Sequence, residues 1–394
     1  MEIISVHASS CGEGKSSVKL NMTLQEKISN ILEDTKKHEK PWTLKVVRRM
    51  FASTAIEQLE DGDEEDWKKP ISILFIGEEG IDAGGLSREF FSLLFKATKV
   101  FEGNTFSVDP QLLDSKRYRL IGKAVGKAII SGHPGPRCLN QHVTRYILQG
   151  LEPDFSKVKT NEICRADAVK AITDIEEATN ETISEVFNEH ISLLDATGYS
   201  KVLTFEKKEE AIRTLKAYYL LYRPMASINQ FIEGLKIHGL FEILQQHPDE
   251  AASFFSERSF PSADEVQAFF IPVFSKIEEE KAEEEIIIYN WGKCLKNIEK
   301  GRISTPWLSL DTDQEEVVQL NIGHLLQALL GCPNLTPYLS SGLIKFDHES
   351  FDLPRINTCA PSITFSRIKQ IQNYTAFQEA VLNVVVGAYG FGSA

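Results

Sequence analysis

The sequence of 394 residues has little of what marks a membrane, secreted or nucleic-acid-binding protein. Its six cysteines are scattered without close pairs, and no apolar run approaches the roughly 18 residues of a membrane-spanning helix. The 43 Lys and Arg residues are outnumbered by 56 Asp and Glu residues, and they form no stripe that could face phosphates. We therefore expect no nucleic-acid partner, no membrane span, and reduced thiols in the cytoplasm, the nucleus or both.

Two motifs that would indicate a bound phosphate or metal ion are incomplete in this sequence. The run Gly12 to Ser16 resembles the end of a phosphate-binding loop, but Ser9 stands where that motif needs its first glycine. His133, Cys138 and His142 have a spacing that a metal tolerates, yet no fourth ligand accompanies them. The sequence thus predicts neither a cofactor nor a metal ion.

What the chain does have is the composition of a globular protein and one conspicuous thiol. Hydrophobic residues make up 42% and charged residues 25% of the sequence, enough apolar material for one large core or two smaller ones. In the heptapeptide from Leu353 to Cys359, Pro354 restricts the chain and a polar Asn-Thr pair precedes the cysteine. These residues favour a loop that presents a nucleophile. The other interpretation, a small buried hydrophobic cysteine, stays open on this heptapeptide alone.

A second motif precedes this one by almost 280 residues. From Phe75 to Phe91 the sequence reads Phe-Ile-Gly-Glu-Glu-Gly-Ile-Asp-Ala-Gly-Gly-Leu-Ser-Arg-Glu-Phe-Phe. Together with Leu-Pro-x-x-x-Thr-Cys ending at Cys359 and with Phe391, fourth from the end, it resembles the HECT family of ubiquitin-protein ligases. The resemblance runs in order from about Leu44 to Ala394.

The resemblance implies a fold and a reaction. The fold class is α+β: a bilobal arrangement with a large, mainly helical N-lobe joined by a hinge to a smaller α/β C-lobe that carries the cysteine. Such proteins accept ubiquitin from a ubiquitin-conjugating enzyme as a thioester, here on Cys359, and transfer it to a lysine of a protein substrate. Thr358 would support the thiolate or the oxyanion, and Phe391 would position the catalytic lobe.

Two other functions remain open at this stage. One is a catalytically weak HECT-like module that binds ubiquitin or a partner protein without transfer. The other is an unrelated helical cysteine hydrolase, which would need a histidine that the sequence does not place near Cys359.

Some residues near the cysteine depart from the common family pattern. Ile356 stands where many members have a small residue, Asn357 where histidine is frequent, and Ala360 where an aromatic residue is frequent. With a short docking region that lacks the usual strand hairpin, these departures resemble the branch related to G2/M phase-specific ubiquitin-protein ligases. Because Asn357 replaces the histidine, no obligatory base can stand at that position.

The resemblance and the composition together predict four segments. Residues 1–42 are a flexible lead with one helix, and residues 43–277 form the N-lobe, in which 155–203 are a reduced docking subdomain for the conjugating enzyme. Residues 278–286 are rich in glutamate, too charged to bury, and are predicted as an acidic hinge. Residues 287–394 form the C-lobe.

The charged residues of the glycine-rich motif are predicted to be structural. Glu78, Glu79, Asp82 and Glu89 could be mistaken for a catalytic or metal-binding cluster. We expect them instead to satisfy backbone groups and to pair with Arg88 where glycine lets the chains approach.

Local signals near the two ends predict individual elements. A helix is expected from Thr23 to about Lys37, and strands at Leu343 to Phe346 and Ile363 to Phe365 flank the cysteine loop. Thr375 with Gln378 fits a capping box for a last helix.

Overall fold

The structure is a computed structural model that describes residues 22–38, 40–78, 82–257, 259–308, 315–335, 339–347, 353–366 and 373–390. The α-helices in these ranges are α1 Leu24–Lys36, α2 Phe51–Glu60, α3 Glu64–Lys68, α4 Gly85–Ala97, α5 Pro110–Asp114, α6 Arg117–Ile130, α7 Gln141–Gln149, α8 Ala166–Glu177, α9 Ile183–Ala196, α10 Lys208–Ala217, α11 Met225–Leu235, α12 Leu240–Gln246, α13 Pro248–Phe255, α14 Ala263–Phe269, α15 Glu278–Glu299, α16 Ile322–Leu330 and α17 Tyr374–Gly390. The strands are β1 Trp42–Val46, β2 Ile71–Phe75, β3 Phe101–Glu102, β4 Thr105–Phe106, β5 Phe270–Pro272, β6 Ser304–Leu308, β7 Glu315–Gln319, β8 Gly342–Asp347, β9 Arg355–Asn357 and β10 Ser362–Ser366. The protein is therefore rich in helices and has several small sheets, as the predicted α+β class requires.

The first hydrophobic core lies between Leu24 and Phe255 and is built mainly by helices. Helices α6 and α11 cross at its centre, where Gly122 and Gly234 face each other. A Cβ atom at Gly234 would lie 2.1 Å from the carbonyl oxygen of Arg119, so only glycine permits this distance between the two backbones. Strands β1 and β2 pair in parallel beside α2 and lead the chain toward α4.

The second core lies between Ala263 and Val385 and shares no residue with the first. Its sheet has the order β5-β8-β10-β9, in which β9 runs antiparallel to β10 and the other pairs are parallel. Trp291 of α15 contacts the rings of Phe270 and Phe365, and Phe377 of α17 packs on Phe365. The two strands predicted to flank the cysteine loop are confirmed as β8 and β10.

The acidic run differs from the expectation. Residues 278–286 begin the 22-residue helix α15, and the expectation that the run is too charged to bury is wrong at Glu284, which is 0% exposed. Its carboxylate accepts hydrogen bonds from the backbone N–H of Ser275 at 2.8 Å and from the Ser275 hydroxyl at 2.5 Å. These two donors replace the water that the carboxylate loses on burial. The chain leaves the first core and enters the second before this run: Phe255 is the last residue of the first core, and Ala263 is the first of the second.

The terminal signals were partly right. Helix α1 begins as predicted, with a capping box between Thr23 and Glu26, and it packs on α6 and α12. The last helix is confirmed, but Asn373 caps it by accepting from the N–H of Ala376 at 2.8 Å, so the predicted capping box at Thr375 is wrong. The residues that resemble a phosphate loop lie outside the described residues. Among the helices of the described ranges, none has the length and apolar character needed to cross a membrane.

The Cys359 turn and its contact with helix α4

Cys359 lies in the tight turn that joins the antiparallel strands β9 and β10. Asn357 shapes this turn, because its Oδ1 accepts the N–H groups of Cys359 and Ala360, each at 3.0 Å. The cysteine is partly exposed, so the interpretation of Cys359 as a buried hydrophobic residue does not hold. The side chain at the position where histidine is frequent in the family therefore fixes the backbone beside the thiol.

The turn rests against the first residue of α4. A Cβ atom at Gly85 would lie 2.5 Å from Oγ1 of Thr358, 3.0 Å from Sγ of Cys359 and 3.1 Å from the Cys359 nitrogen. Any larger residue at this position would displace the turn. The helix begins after Gly84, whose φ of 107° lies in the left-handed region that glycine adopts readily. The thiol thus lies at the N-terminal, positive end of the α4 dipole.

Arg88 lies about one helical turn after Gly85 in α4, and its side chain also bonds the Cys359 turn. Its guanidinium donates from Nη2 to the carbonyl oxygen of Thr358 and from Nε to that of Leu330 at 2.8 Å. The side chain is only 6% exposed, and burial lowers the pKa of Arg88. The acceptors come 242 and 270 residues later in the chain, so Arg88 joins the two cores.

The other charged residues of the glycine-rich motif are structural, but they do not pair as predicted. Asp82 accepts the N–H groups of Ile73 and Gly84, each at 2.9 Å, and that of Ser87 in the first turn of α4 at 3.3 Å. Glu78 and Glu89 bind Arg48, each at 2.6 Å, whereas the expectation was Arg88. Burial alone would lower the pKa of Arg48, but these hydrogen bonds raise it above its usual range. Arg88 is unavailable to the carboxylates because it points to the second core. Glu79 lies outside the described residues.

Further hydrogen bonds lie along the boundary between the two cores. Ser92 donates to the side chain of Gln327 at 3.0 Å, and Gln327 donates to the carbonyl of Gly331 at 2.8 Å. Arg137 donates to the carbonyl of Leu335 at 3.3 Å. A cavity of about 410 Å³ lies at this boundary, lined among others by Phe254 of the first core and by Leu335, which packs against the second. The cores therefore meet through hydrogen bonds and an open cleft as well as through apolar contact.

The remaining described cysteines differ from Cys359 in their surroundings. Cys332 is buried, and burial raises the pKa of its thiol. Burial also raises the pKa of Cys138 and of Cys294 to about 12. Cys164 is exposed and donates to Asn104 at 2.9 Å. An external reagent can therefore reach Cys164 and Cys359 more readily than the buried Cys294 and Cys332.

The three residues considered for a metal do not come together as a cluster of ligands. His133 is buried against the ring of Phe91, and burial, with the nearby charge of Arg88, lowers its pKa to about 4. His142 faces Glu162 at 3.6 Å.

Within the described ranges, the residues whose ligand atoms do converge are Asp174, Glu189 and His190. Lys170 already bonds both carboxylates, and His190 lies 2.7 Å from Asp174. Lys170, Asp174 and Glu189 thus form an ion-pair network between α8 and α9, and the buried His190 lies against it.

The predicted docking region has the expected lack of strands. Residues 155–203, all described, contain α8 and α9 and no strand. In α9, Ile183 and Leu194 are buried and Val186 and Phe187 pack against the first core, whereas Ile191 is 40% exposed, so most of the apolar face of this helix joins the core. Phe391 lies outside the described residues.

Sequence reasoning missed the contact that Gly85 and Arg88 make with the thiol turn. The available signal was their spacing of three residues, which places them on one helix face. Together with Asn357, they define the class of the site, a partly exposed cysteine on a hairpin turn where two cores meet.

Comparison with known proteins supports the family resemblance. Residues 86–247, which lie in the first core, match the family model described as HECT-domain (ubiquitin-transferase). A G2/M phase-specific E3 ubiquitin-protein ligase from Macaca fascicularis is 25% identical over 182 residues, covering 44% of this chain and 26% of that protein. The E3 ubiquitin-protein ligase UPL2 from Arabidopsis thaliana is 25% identical over 248 residues, covering 55% of this chain and 6% of that protein. The human probable E3 ubiquitin-protein ligase HERC4 is 35% identical over 101 residues, covering 23% of this chain and 10% of that protein.

These matches confirm the resemblance to the HECT-domain ubiquitin-protein ligases and to the G2/M phase-specific proteins among them. The alignments with the G2/M phase-specific relatives span about a quarter of the length of those proteins.

Proposed function

We propose that this protein is a HECT-type ubiquitin-protein transferase, an acyltransferase that works through a cysteine thioester. It accepts ubiquitin from a ubiquitin-conjugating enzyme on Cys359 and transfers it to a lysine of a protein substrate. The observation that carries this proposal is the position of Cys359, partly exposed in a capped turn at the boundary between two cores. The family match and the names of the relatives support the choice of ubiquitin as the transferred group.

The chemistry proceeds in two steps. The Cys359 thiolate attacks the carbonyl carbon of the ubiquitin thioester, and the thiolate of the conjugating enzyme leaves, so one thioester replaces another at little net cost. The uncharged amine of a substrate lysine then attacks the new thioester. An isopeptide bond forms, the amine loses a proton, and Cys359 leaves as the thiolate.

Two neighbours are assigned supporting roles. Thr358 precedes the nucleophile, and its hydroxyl lies against Gly85, where it can support the thiolate or the oxyanion. Phe391 positions the catalytic lobe during transfer to lysine, a role proposed from its place in the sequence.

The two cores correspond to the two lobes of the proposed bilobal fold. The cysteine must face the conjugating enzyme and then the substrate, so the mechanism needs a hinge. We expect that hinge to come before Ala263 and not at 278–286, because Phe255 is the last residue of the first core, Ala263 is the first of the second, and the acidic run is part of α15.

A docking surface for the conjugating enzyme is proposed on the first core. Five apolar side chains between residues 151 and 222 are 40 to 66% exposed, although they belong to the larger, helical unit. They are Leu151, Ile191, Val202, Phe205 and Tyr222. Exposed apolar groups of this kind mark interaction surfaces when they cluster.

The proposal is tested by incubating the chain with ubiquitin, activating enzyme and a panel of conjugating enzymes. A non-reducing gel should show a ubiquitin adduct that a thiol reductant removes. Cys359→Ala should abolish the adduct, whereas Cys164→Ala and Cys332→Ala should keep it, one control being exposed and the other buried.

If no conjugating enzyme yields the adduct, the proposal fails and the alternative gains weight, namely a HECT-like module that binds ubiquitin or a partner without transfer. The cytoplasmic or nuclear location stays a prediction, which imaging of the tagged protein would check.

A further inference from the structure

One face of α4 forms the contact surface for the turn that carries the thiol. Gly85, Arg88 and Ser92 follow at intervals of three and four residues, which align them on one side of a helix. Each contacts the second core: Gly85 touches the Cys359 turn, Arg88 bonds two of its carbonyls, and Ser92 bonds Gln327. The lack of a side chain at Gly85 admits the turn, and the side chain of Arg88 holds it.

Arg88 is placed unusually for a buried arginine. In the part of the chain that the structure describes, no carboxylate lies within ion-pair distance of its guanidinium, and its hydrogen bonds go to two backbone carbonyls. Burying a cation without a carboxylate is costly, so the arrangement calls for a reason other than stability. The planar guanidinium can bond two acceptors in a fixed relative orientation, which a lysine ammonium cannot do.

The two carbonyl groups that Arg88 bonds belong to residues in different elements of the second core. Leu330 ends α16, which is anchored in the second core, and Thr358 immediately precedes the nucleophile. Arg88 therefore sets the orientation of the Cys359 turn relative to both α16 and α4. Because backbone carbonyls exchange such bonds with water, this contact can open and close again.

We propose that Arg88 is a positioning residue that docks the Cys359 turn on α4 for the second step, the attack of lysine on the thioester. This rests on the proposed function. In the docked arrangement α4 covers one side of the sulfur, since even a methyl group at Gly85 would lie 3.0 Å from Sγ. A globular conjugating enzyme needs more room around the sulfur than the slender side chain of a lysine. Loading thus suits the undocked turn, whereas attack by lysine needs a sulfur held in one place.

The test separates the two steps in single-turnover experiments. Arg88→Met keeps the apolar stem but removes all donors, and Arg88→Lys keeps the charge but loses the paired donors. For Arg88→Met, loading of Cys359 should proceed at least as fast as in the unaltered protein. Discharge to lysine should slow by roughly tenfold or more, because the thioester is no longer held in position. The discharge rate of Arg88→Lys should lie between those of Arg88→Met and the unaltered protein.

Two further variants control for damage to the fold. Gly85→Ala leaves Arg88 in place but displaces the Cys359 turn, because the added methyl group would lie 2.5 Å from Oγ1 of Thr358 and 3.1 Å from the Cys359 nitrogen, and it should slow discharge more than loading. Ser92→Ala breaks a hydrogen bond on the same helix face without touching the turn, and it should slow discharge less than Arg88→Met does. Thermal unfolding of each variant shows whether it is folded.

Each outcome decides a different question. Normal discharge in a folded Arg88→Met variant, or an equal loss of loading and discharge, would overturn the role of Arg88. A failure to load the unaltered protein would instead overturn the proposed function. If Arg88→Met does not fold, Arg88→Lys carries the test of Arg88, and Gly85→Ala tests whether the docked turn is needed for discharge.

Discussion

At the scale of single residues, one side-chain oxygen controls the backbone beside the nucleophile. Asn357 accepts two N–H groups of the turn, so Asn357→Ala should leave both without this acceptor. We expect a loss of about 1 kcal/mol in the free energy of unfolding, because the turn is partly open to water. Adduct formation should slow by roughly threefold, since the thiol is less well oriented.

Asn357→Asp keeps an acceptor oxygen at the same place and provides the matched control. Urea unfolding and the rate of adduct formation measure the two effects. Identical behaviour of the Ala and Asp variants would show that the hydrogen bonds do not shape the turn.

His133 makes the protein sensitive to acid. Its pKa is lowered to about 4, first by burial and then by the charge of Arg88, while the charge of Asp82 acts in the opposite direction. Between pH 6.5 and pH 4 the unfolded chain therefore binds a proton that the folded protein does not, and stability falls as the pH falls through this window. A difference of 2.5 pKa units corresponds to a loss on the order of 3 kcal/mol.

His133→Leu removes the titrating group and should flatten the dependence of the free energy of unfolding on pH between 6.5 and 4. Urea titrations at a series of pH values would measure it. If the variant and the unaltered protein lose stability with the same slope, His133 is not the group responsible.

At the scale of elements, α15 depends on a charged residue that it buries. Glu284→Ala should remove the acceptor for the N–H and the hydroxyl of Ser275, leaving two partly buried donors without this partner. We expect a loss of about 1–3 kcal/mol. The neighbouring Glu285, 59% exposed and 4.0 Å from Lys281, offers the control. Glu285→Ala should change stability by less than about 0.5 kcal/mol. Thermal denaturation would measure both, and equal effects would contradict the assignment.

At the scale of the whole molecule, the separate cores should unfold separately. The two clusters share no residue, and polar contacts such as those of Arg88, Ser92 and Arg137 contribute to the boundary between them. Scanning calorimetry should therefore show two transitions. Arg88→Met should separate them further, because it weakens the coupling. A single transition whose calorimetric and van't Hoff enthalpies agree would show that the two cores form one cooperative unit.

Local signals in the sequence were sufficient for several elements. The helix that begins at Thr23, the apolar runs of β8 and β10 and the proline-restricted cysteine loop all depend on residues close together in the chain. The cap of α17 was misplaced by two residues because Asn373 and Thr375 are both suitable capping residues, and only the backbone decides between them.

The sequence by itself determined that a thiol follows a polar pair in a loop and that the glycine-rich motif resembles that of ubiquitin-protein ligases, a resemblance that implies a mainly helical N-lobe. Only the tertiary structure decided that Arg88 bonds the turn of Cys359, that Glu284 is buried, and that the second core begins at Ala263. The physical reason is distance along the chain. Spacing and capping act over a few residues, whereas the carbonyl groups that Arg88 bonds lie more than 240 residues away in the chain. Since every residue has a backbone carbonyl, no residue type indicates which carbonyl will accept such a bond.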